Sequence, residues 1–317
     1  MKLVVLDGYT LNPGDLSWDT LSEIGECKIY DRTPGNLRVE RIADAEAVFT
    51  NKVVLDESIF KACPSIKYIG VLATGFNVVD LHAASKAGIV VSNIPAYSTD
   101  SVAQMTFALL LNITNQVHLH AKAVANGQWT KAADFSFCLT PQIELSGKTL
   151  GIIGFGKIGK KVAEIGQALG MNILFHNRSV KTDVPPGFIQ CQLDELLRKS
   201  DVVSLNCPLT EANKGFINKD TLRLMKPSSI LINTGRGPLI DEYDLAEALN
   251  CGIISGAGLD VLSTEPPLHG NPLLAAKNCY VTPHIAWATK ESRQRLLDIA
   301  VENVKAFLNR KKLNVIN

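Results

Sequence analysis

Leu150-Gly151-Ile152-Ile153-Gly154-Phe155-Gly156-Lys157-Ile158-Gly159 is the stretch that decides the fold of this 317-residue chain. Its first four residues read as a strand. Ile158, Val162, Ile165 and Leu169 then recur at spacings of three and four, which gives the helix that follows a buried stripe. A Gly-x-Gly-x-x-Gly turn between a strand and an amphipathic helix is a dinucleotide-binding fingerprint in its required context. Gly154 makes the tight turn, Gly156 lets backbone approach a pyrophosphate, and Gly159 lets the helix pack closely on the strand. The helix N-terminus then faces the phosphates.

Downstream, apolar runs alternate with helical patterns. Strands are expected at 172–175, 202–206, 230–233, 257–261 and 280–282, with helices at 193–199, 219–225, 242–250 and 290–308. Upstream the same alternation holds, with strands at 3–6, 28–30, 47–50, 66–72 and 89–92 and helices at 16–24, 39–45, 57–62 and 81–87. Strands this apolar, separated by helices, belong to parallel βαβ units covered on both faces. Between the two series a helical pattern runs from Ser98 to Gly127, roughly 40 Å at 1.5 Å per residue. That length suits a link between domains or a subunit interface. The fold expected is α/β with two doubly wound parallel-sheet domains, one flavodoxin-like and one Rossmann. The Rossmann domain spans 99–287. If the last helix packs back on the first series, residues 1–98 and 288–317 form the other domain.

Composition removes several function classes. Apolar residues make up 46% of the chain and charged residues 20%, an ordinary globular profile. With 32 Lys and Arg against 31 Asp and Glu, the net charge is +1. This argues against a nucleic-acid footprint or a polybasic membrane patch. No apolar run approaches the roughly 20 residues of a membrane span, and Asp7 interrupts the apolar start too early for a signal peptide. The seven cysteines are scattered, without a Cys-x-x-Cys pair or a Cys/His cluster, so neither a disulfide framework nor a metal site is expected. A cytoplasmic compartment follows from the same reading.

The ribose-reading position closes the strand after the glycine turn. Many NAD enzymes carry an acidic residue there, about 20 residues on; this chain has Asn177-Arg178-Ser179. No carboxylate stands there to repel a 2′-phosphate, and a guanidinium is available to pair with one, which favours NADP(H). The alternative is NAD(H), with Arg178 solvated and Asn177 hydrogen-bonding the ribose.

Three segments place polar groups just past expected strands: Asn233-Thr234-Gly235-Arg236-Gly237, Asp260 through Glu265-Pro266-Pro267, and Thr282-Pro283-His284-Ile285-Ala286-Trp287. Ligands of open α/β sheets bind at the carboxyl ends of strands, so these loops can converge on one crevice. Arg236, Glu265 and His284 beside a nicotinamide suggest a carboxylate clamp, a group that tunes an acid, and the acid itself. Taken singly, each has a plainer reading as a surface charge, a solvated carboxylate or a core imidazole.

With the glycine turn, these segments stand in an order that resembles the D-isomer-specific 2-hydroxyacid dehydrogenases over essentially the whole chain. Leu72-Ala73-Thr74-Gly75-Phe76-Asn77, Asn126-Gly127-Gln128-Trp129 and Ile285-Ala286-Trp287 are most similar to the glycerate dehydrogenase, or hydroxypyruvate reductase, branch. The resemblance implies that Arg236 holds the substrate carboxylate, His284 protonates the ketone oxygen, and Glu265 orients His284 and favours its charged form. It implies that Lys157 and Ile158 meet the pyrophosphate, and that Cys207, Thr234, Asp260 and Thr74 lie by the cofactor. The N–H groups around Ala73, Thr74 and Gly75 would take the substrate carboxylate between the domains. Trp287 either walls the substrate pocket or fills a domain interface. The resemblance further implies a homodimer joined through the long helix and the Trp129 loop, acting on a small 2-keto or 2-hydroxy acid.

Related architectures fit less well. Formate dehydrogenases carry Gln where this chain has Glu265. Phosphoglycerate dehydrogenases need a further cation for phosphate and commonly add a regulatory domain. Corepressors of this fold are dinucleotide-sensing interaction proteins that need a peptide-docking cleft and usually carry extra tails; such a protein would bind cofactor and turn over keto acids poorly.

Overall fold

Ala47-Val48-Phe49-Thr50 and Val202-Val203-Ser204-Leu205 have no alternating polar side to give to water, and both are buried along their whole length. Such strands need cover on two faces, and the chain supplies it with helices between parallel strands. The computed structural model describes all residues, Met1–Asn317. They divide into two units, Met1–Ser98 with Trp287–Asn317, and Thr99–Ala286. The division falls between Ala286 and Trp287, one residue earlier than the sequence suggested. The reason is the Trp287 ring, which meets Tyr97 edge-on within the first unit (centroids 6.4 Å apart).

In the first unit, strands β1 (Lys2–Val5), β2 (Glu26–Ile29), β3 (Ala47–Thr50), β4 (Tyr68–Val71) and β5 (Val90–Ser92) form a parallel sheet in the order β2-β1-β3-β4-β5. This is flavodoxin-like winding. Helices α1 (Asp19–Ser22), α2 (Arg38–Ile42), α3 (Glu57–Ala62) and α4 (Leu81–Lys86) connect the strands. The C-terminal helix, Lys290–Leu308, returns to this unit. Its Leu296, Leu297, Ala300, Val301 and Val304 share one core with Leu3, Val5, Phe49 and Tyr68. Each fully buried Leu in that stripe stabilises the packing by roughly 1.5–3 kcal/mol.

The second unit opens with α5 (Thr99–Asn115) and α6 (Val117–Ala125). The single long helix expected from Ser98 to Gly127 is therefore a correction: Gln116 adopts a left-handed conformation (φ 43°) between two shorter helices. The Thr114 hydroxyl bonds Leu111 O and Asn115 Oδ1, the kind of local side-chain bonding that competes with helical continuation.

There follow β6 (Thr149–Ile153), α7 (Lys157–Ala168), β7 (Asn172–His176), β8 (Phe188–Gln190), α8 (Leu193–Lys199) and β9 (Val202–Leu205). The unit continues with α9 (Lys219–Leu222), β10 (Ile230–Asn233), α10 (Glu242–Asn250), β11 (Gly256–Leu259) and β12 (Cys279–Val281). All seven strands are parallel, in the order β12-β11-β10-β9-β6-β7-β8. Strand order reverses between β6 and β9, the switch point where ligands of such sheets bind.

Buried Arg293 fastens the returning helix of the first unit. Its Nη1 and Nη2 donate to the two Asp15 carboxylate oxygens at 2.7 Å, while Nη1 and Nε donate at 2.9 Å to the carbonyls of Leu11 and Ala288. The guanidinium holds the Asp15 carboxyl below its ordinary value. A carboxyl whose pKa is lower folded than unfolded adds stability above its unfolded value, near 4, and loses it as pH falls through the folded value. Asp15→Asn is therefore expected to lower the Tm at pH 7, with a smaller gap to the native protein at about pH 3. Thermal unfolding at the two pH values checks this, and an undiminished gap in acid would contradict it.

Candidate active site

The register of the second sheet aligns the ends of its strands. His176 pairs with Ile153, Ile153 with Leu205, Leu205 with Asn233, Asn233 with Leu259, and Leu259 with Val281. The residues one step beyond are Asn177, Gly154, Asn206, Thr234, Asp260 and Thr282, which therefore leave the sheet along a single carboxyl edge. Every polar segment singled out in the second half of the sequence emerges from that edge.

At its switch point lies the glycine turn. Gly154 has φ +96°, and a Cβ there would sit 2.5 Å from the Cys207 nitrogen on the neighbouring strand exit. A Cβ on Gly159 would lie 2.1 Å from the Gly154 carbonyl oxygen, so the helix rests directly on the turn. Above Gly156, by contrast, a Cβ would meet nothing within 4 Å. Gly156 is the N-cap of the twelve-residue α7, which has no side-chain cap and no acidic residue in its first turn. Open space over uncapped N–H groups at a helix N-terminus is the cradle a pyrophosphate needs, and the residues present fit a dinucleotide. Lys157 is exposed and Ile158 half-buried at that end.

Asn177 closes the ribose side. Its Oδ1 accepts from the Phe155 N–H at 3.2 Å, and its Nδ2 donates to Ser179 O and Ser179 Oγ, both at 3.0 Å. The amide nitrogen is thus turned onto Ser179. Arg178 and Ser179 are exposed, and Arg178 makes no ion pair.

Asn233 shapes the loop that carries Arg236: its Oδ1 accepts from Gly235 N at 3.0 Å and its Nδ2 donates to Arg236 O at 2.9 Å. Arg236 is exposed, with Nη1 on Gly235 O and its other donors without a protein partner. Thr234 is buried, its hydroxyl 3.0 Å from that of Thr106. Cys207 is half-buried near the glycine turn, and burial pushes its thiol pKa up.

His284 sits at φ 54°, a left-handed backbone that costs roughly 1–2 kcal/mol for a residue with a Cβ. The carboxylate of Asp260, itself 1% exposed, holds it there. Oδ1 accepts from Thr282 Oγ1 (2.6 Å) and Ile285 N (3.0 Å), and Oδ2 accepts from Ala286 N (2.8 Å). Asp260, expected beside the cofactor, is therefore first of all the clamp of the histidine loop. His284 Nδ1 lies 2.5 Å from Glu265 Oε2 with both side chains about one-third exposed, and Glu265 Oε1 accepts from Leu262 N at 3.0 Å. Glu242 on α10 anchors the same loop by accepting from Ser263 N and Asn271 Nδ2.

Ala73, Thr74, Gly75 and Trp287 lie in the first unit. Thr74 Oγ1 donates to Ile94 O, and Thr74 O accepts from Asn93 Nδ2, which fixes the loop past β4. The sequence marks Asn233 as polar without giving it a role, and does not mark Glu242. The Asn-x-Gly turn signal pointed to the first; no local pattern announces the second.

A parallel sheet with a phosphate cradle at its switch point and an imidazole–carboxylate pair on the same edge defines a dinucleotide-dependent oxidoreductase. Residues 107–286 match the family model of the D-isomer specific 2-hydroxyacid dehydrogenase, NAD binding domain. The chain is 50% identical to a hydroxypyruvate reductase of Blautia hydrogenotrophica, covering 100% of both chains. It is 42% identical to a glycerate dehydrogenase of Methylorubrum extorquens, covering 99% of this chain and 98% of that one. A solved NADPH-dependent glyoxylate/hydroxypyruvate reductase from Sinorhizobium meliloti superposes with a TM-score of 0.85 at 28% identity, covering 99% of this chain and 97% of that one. The chain belongs to the D-isomer specific 2-hydroxyacid dehydrogenase family.

Two glycines separate the cradle's binding role from its packing role. Gly156→Val is expected to keep the native Tm and to weaken dinucleotide binding at least about 100-fold, because its side chain enters the open space alone. Gly159→Ala should instead cost roughly 1–3 kcal/mol of stability through overpacking. Fluorescence titration and denaturant unfolding distinguish the two, and native-like binding by Gly156→Val would place the pyrophosphate elsewhere.

Proposed function

We propose that the chain reduces small 2-keto acids to D-2-hydroxy acids, foremost hydroxypyruvate to D-glycerate, with glyoxylate as a further substrate, and that it uses NADPH in preference to NADH. The observation that carries the reaction is the His284–Glu265 pair, standing on the sheet edge that also bears the glycine cradle and Arg236. The bound reduced nicotinamide supplies a hydride to the carbonyl carbon. His284 delivers the proton to the carbonyl oxygen from Nε2, since Nδ1–H is directed at Glu265. The Glu265 carboxylate holds the ring in that orientation. After transfer the ring is neutral and keeps Nδ1–H on Glu265; Nε2 then regains a proton from water. In the oxidative direction Nε2 accepts the hydroxyl proton. Arg236 offers its unpartnered donors to the substrate carboxylate in the fork geometry that suits two oxygens.

The coenzyme preference rests on three features: no acidic residue at 177–179, an exposed and unpaired Arg178, and an Asn177 amide nitrogen engaged by Ser179. A homodimer in the cytoplasm completes the proposal. Within residues 117–139, Val117, Trp129, Phe135 and Leu139 expose apolar side chains, Phe135 at 91%, which a second copy could cover.

Loss of absorbance at 340 nm with hydroxypyruvate, run in parallel with NADPH and NADH, tests the reading. Native protein should oxidise NADPH faster, and Arg178→Ala should lose about tenfold in kcat/KM with NADPH while leaving NADH turnover nearly unchanged. His284→Ala should lower kcat by about 100-fold or more without altering dinucleotide affinity. Coenzyme binding without turnover of any 2-keto acid would favour a dinucleotide-sensing binding protein instead.

A further inference from the structure

Strand β8 had no counterpart in the sequence reading. It is the edge strand of the second sheet, and Gln190 ends it, paired in register with Phe175. The Gln190 side chain closes on the Asn177–Lys181 turn. Its Oε1 accepts from Lys181 N at 2.9 Å, and its Nε2 donates to Ser179 O at 3.1 Å and Asn177 O at 3.3 Å. The orientation of the amide is fixed by chemistry, because the reversed form would face its NH2 at the Lys181 N–H and its oxygen at two carbonyls. Asn177 completes the ring of bonds from within, binding the glycine turn through Phe155 N and Ser179 through its amide.

The effect is to draw the carbonyls of Asn177 and Ser179 inward onto one amide. Arg178 stands between those two residues, so its backbone is fixed on both sides while its side chain stays exposed and unpaired. Carbonyl oxygens left free beside Arg178 would repel a phosphate; here each is engaged by the Gln190 amide.

We infer that Gln190 is a positioning residue for coenzyme selectivity: by holding the Asn177–Lys181 turn it presents Arg178 to a 2′-phosphate. The inference rests on the assignment of Arg178 to that phosphate. Gln190 touches no part of the coenzyme in this role, and its removal should change the grip on NADPH without changing hydride transfer.

Two variants of the full-length protein test it, each assayed for KM and kcat with NADPH and with NADH. Gln190→Met keeps the volume and removes all three bonds; KM for NADPH should rise about tenfold, KM for NADH less than twofold, and kcat should hold with both. Gln190→Glu keeps the acceptor for Lys181 but sets a carboxylate against two carbonyls and near the phosphate, so the loss with NADPH should be larger still. Equal losses with both coenzymes, or a fall in kcat with a lowered Tm, would reduce Gln190 to a packing role and overturn the inference. A native protein that already uses NADH as well as NADPH would overturn the Arg178 assignment, and the selectivity role with it; that result appears in the native arm alone. Selective native protein with unshifted variants overturns only the role of Gln190.

Discussion

A carboxylate buried without a neighbouring cation is held in place by hydrogen bonds alone, and Asp260 is such a group. It leaves the sheet at the end of β11 and gathers a hydroxyl and two backbone N–H groups from the segment after β12. Those donors flank His284, so one side chain determines a left-handed backbone that the imidazole would not adopt on its own. The Glu265 loop approaches from the other side, tied to α10 through Glu242 and to its own backbone through Leu262. The 2.5 Å contact between His284 and Glu265 thus joins the loop that Asp260 clamps to the loop that Asp260 begins. Preorganisation of this kind lets an acid keep its bearing while the substrate comes and goes.

The second sheet explains why one fold can gather so many chemical roles. Parallel strands in strict register end together, and their exits contribute short loops: the glycine turn after β6, the Asn177–Lys181 turn after β7, Arg236 after β10, Glu265 after β11 and His284 after β12. None of these groups is near another in sequence. Their common address is the carboxyl edge, where helix N-termini also point.

The elements that could be read from sequence are those with strong local periodicity. Helices 57–62, 242–250 and 290–308 coincide with the sequence reading because apolar spacing and the side-chain caps of Asp56, Asp241 and Thr289 agree, and 193–199 coincides on apolar spacing alone. The glycine turn was legible because three glycines have three separate steric duties. What escaped was decided by tertiary contact. Three-residue β8 follows Pro185-Pro186-Gly187, which hides it among turn residues, and it persists only because β7 offers it a ladder. The break at Gln116 interrupts an apolar period that continues on both sides. Asp260 was noticed as polar, but the loop it clamps lies some two dozen residues further along the chain, beyond any local pattern.

The first unit is assembled from both sides of the second. The face of its sheet bearing Leu3, Val5, Phe49 and Tyr68 is covered by the helix Lys290–Leu308, and Arg293 reaches Asp15 to fasten it. On a ribosome these partners are made far apart in time. The dinucleotide-binding unit emerges with every one of its strands present and can close at once, whereas the earlier-made sheet waits with an uncovered oily face until the last helix clears the exit tunnel. The order of maturation is therefore the reverse of the order of synthesis, and the nascent first unit is the stretch that a chaperone has most reason to hold.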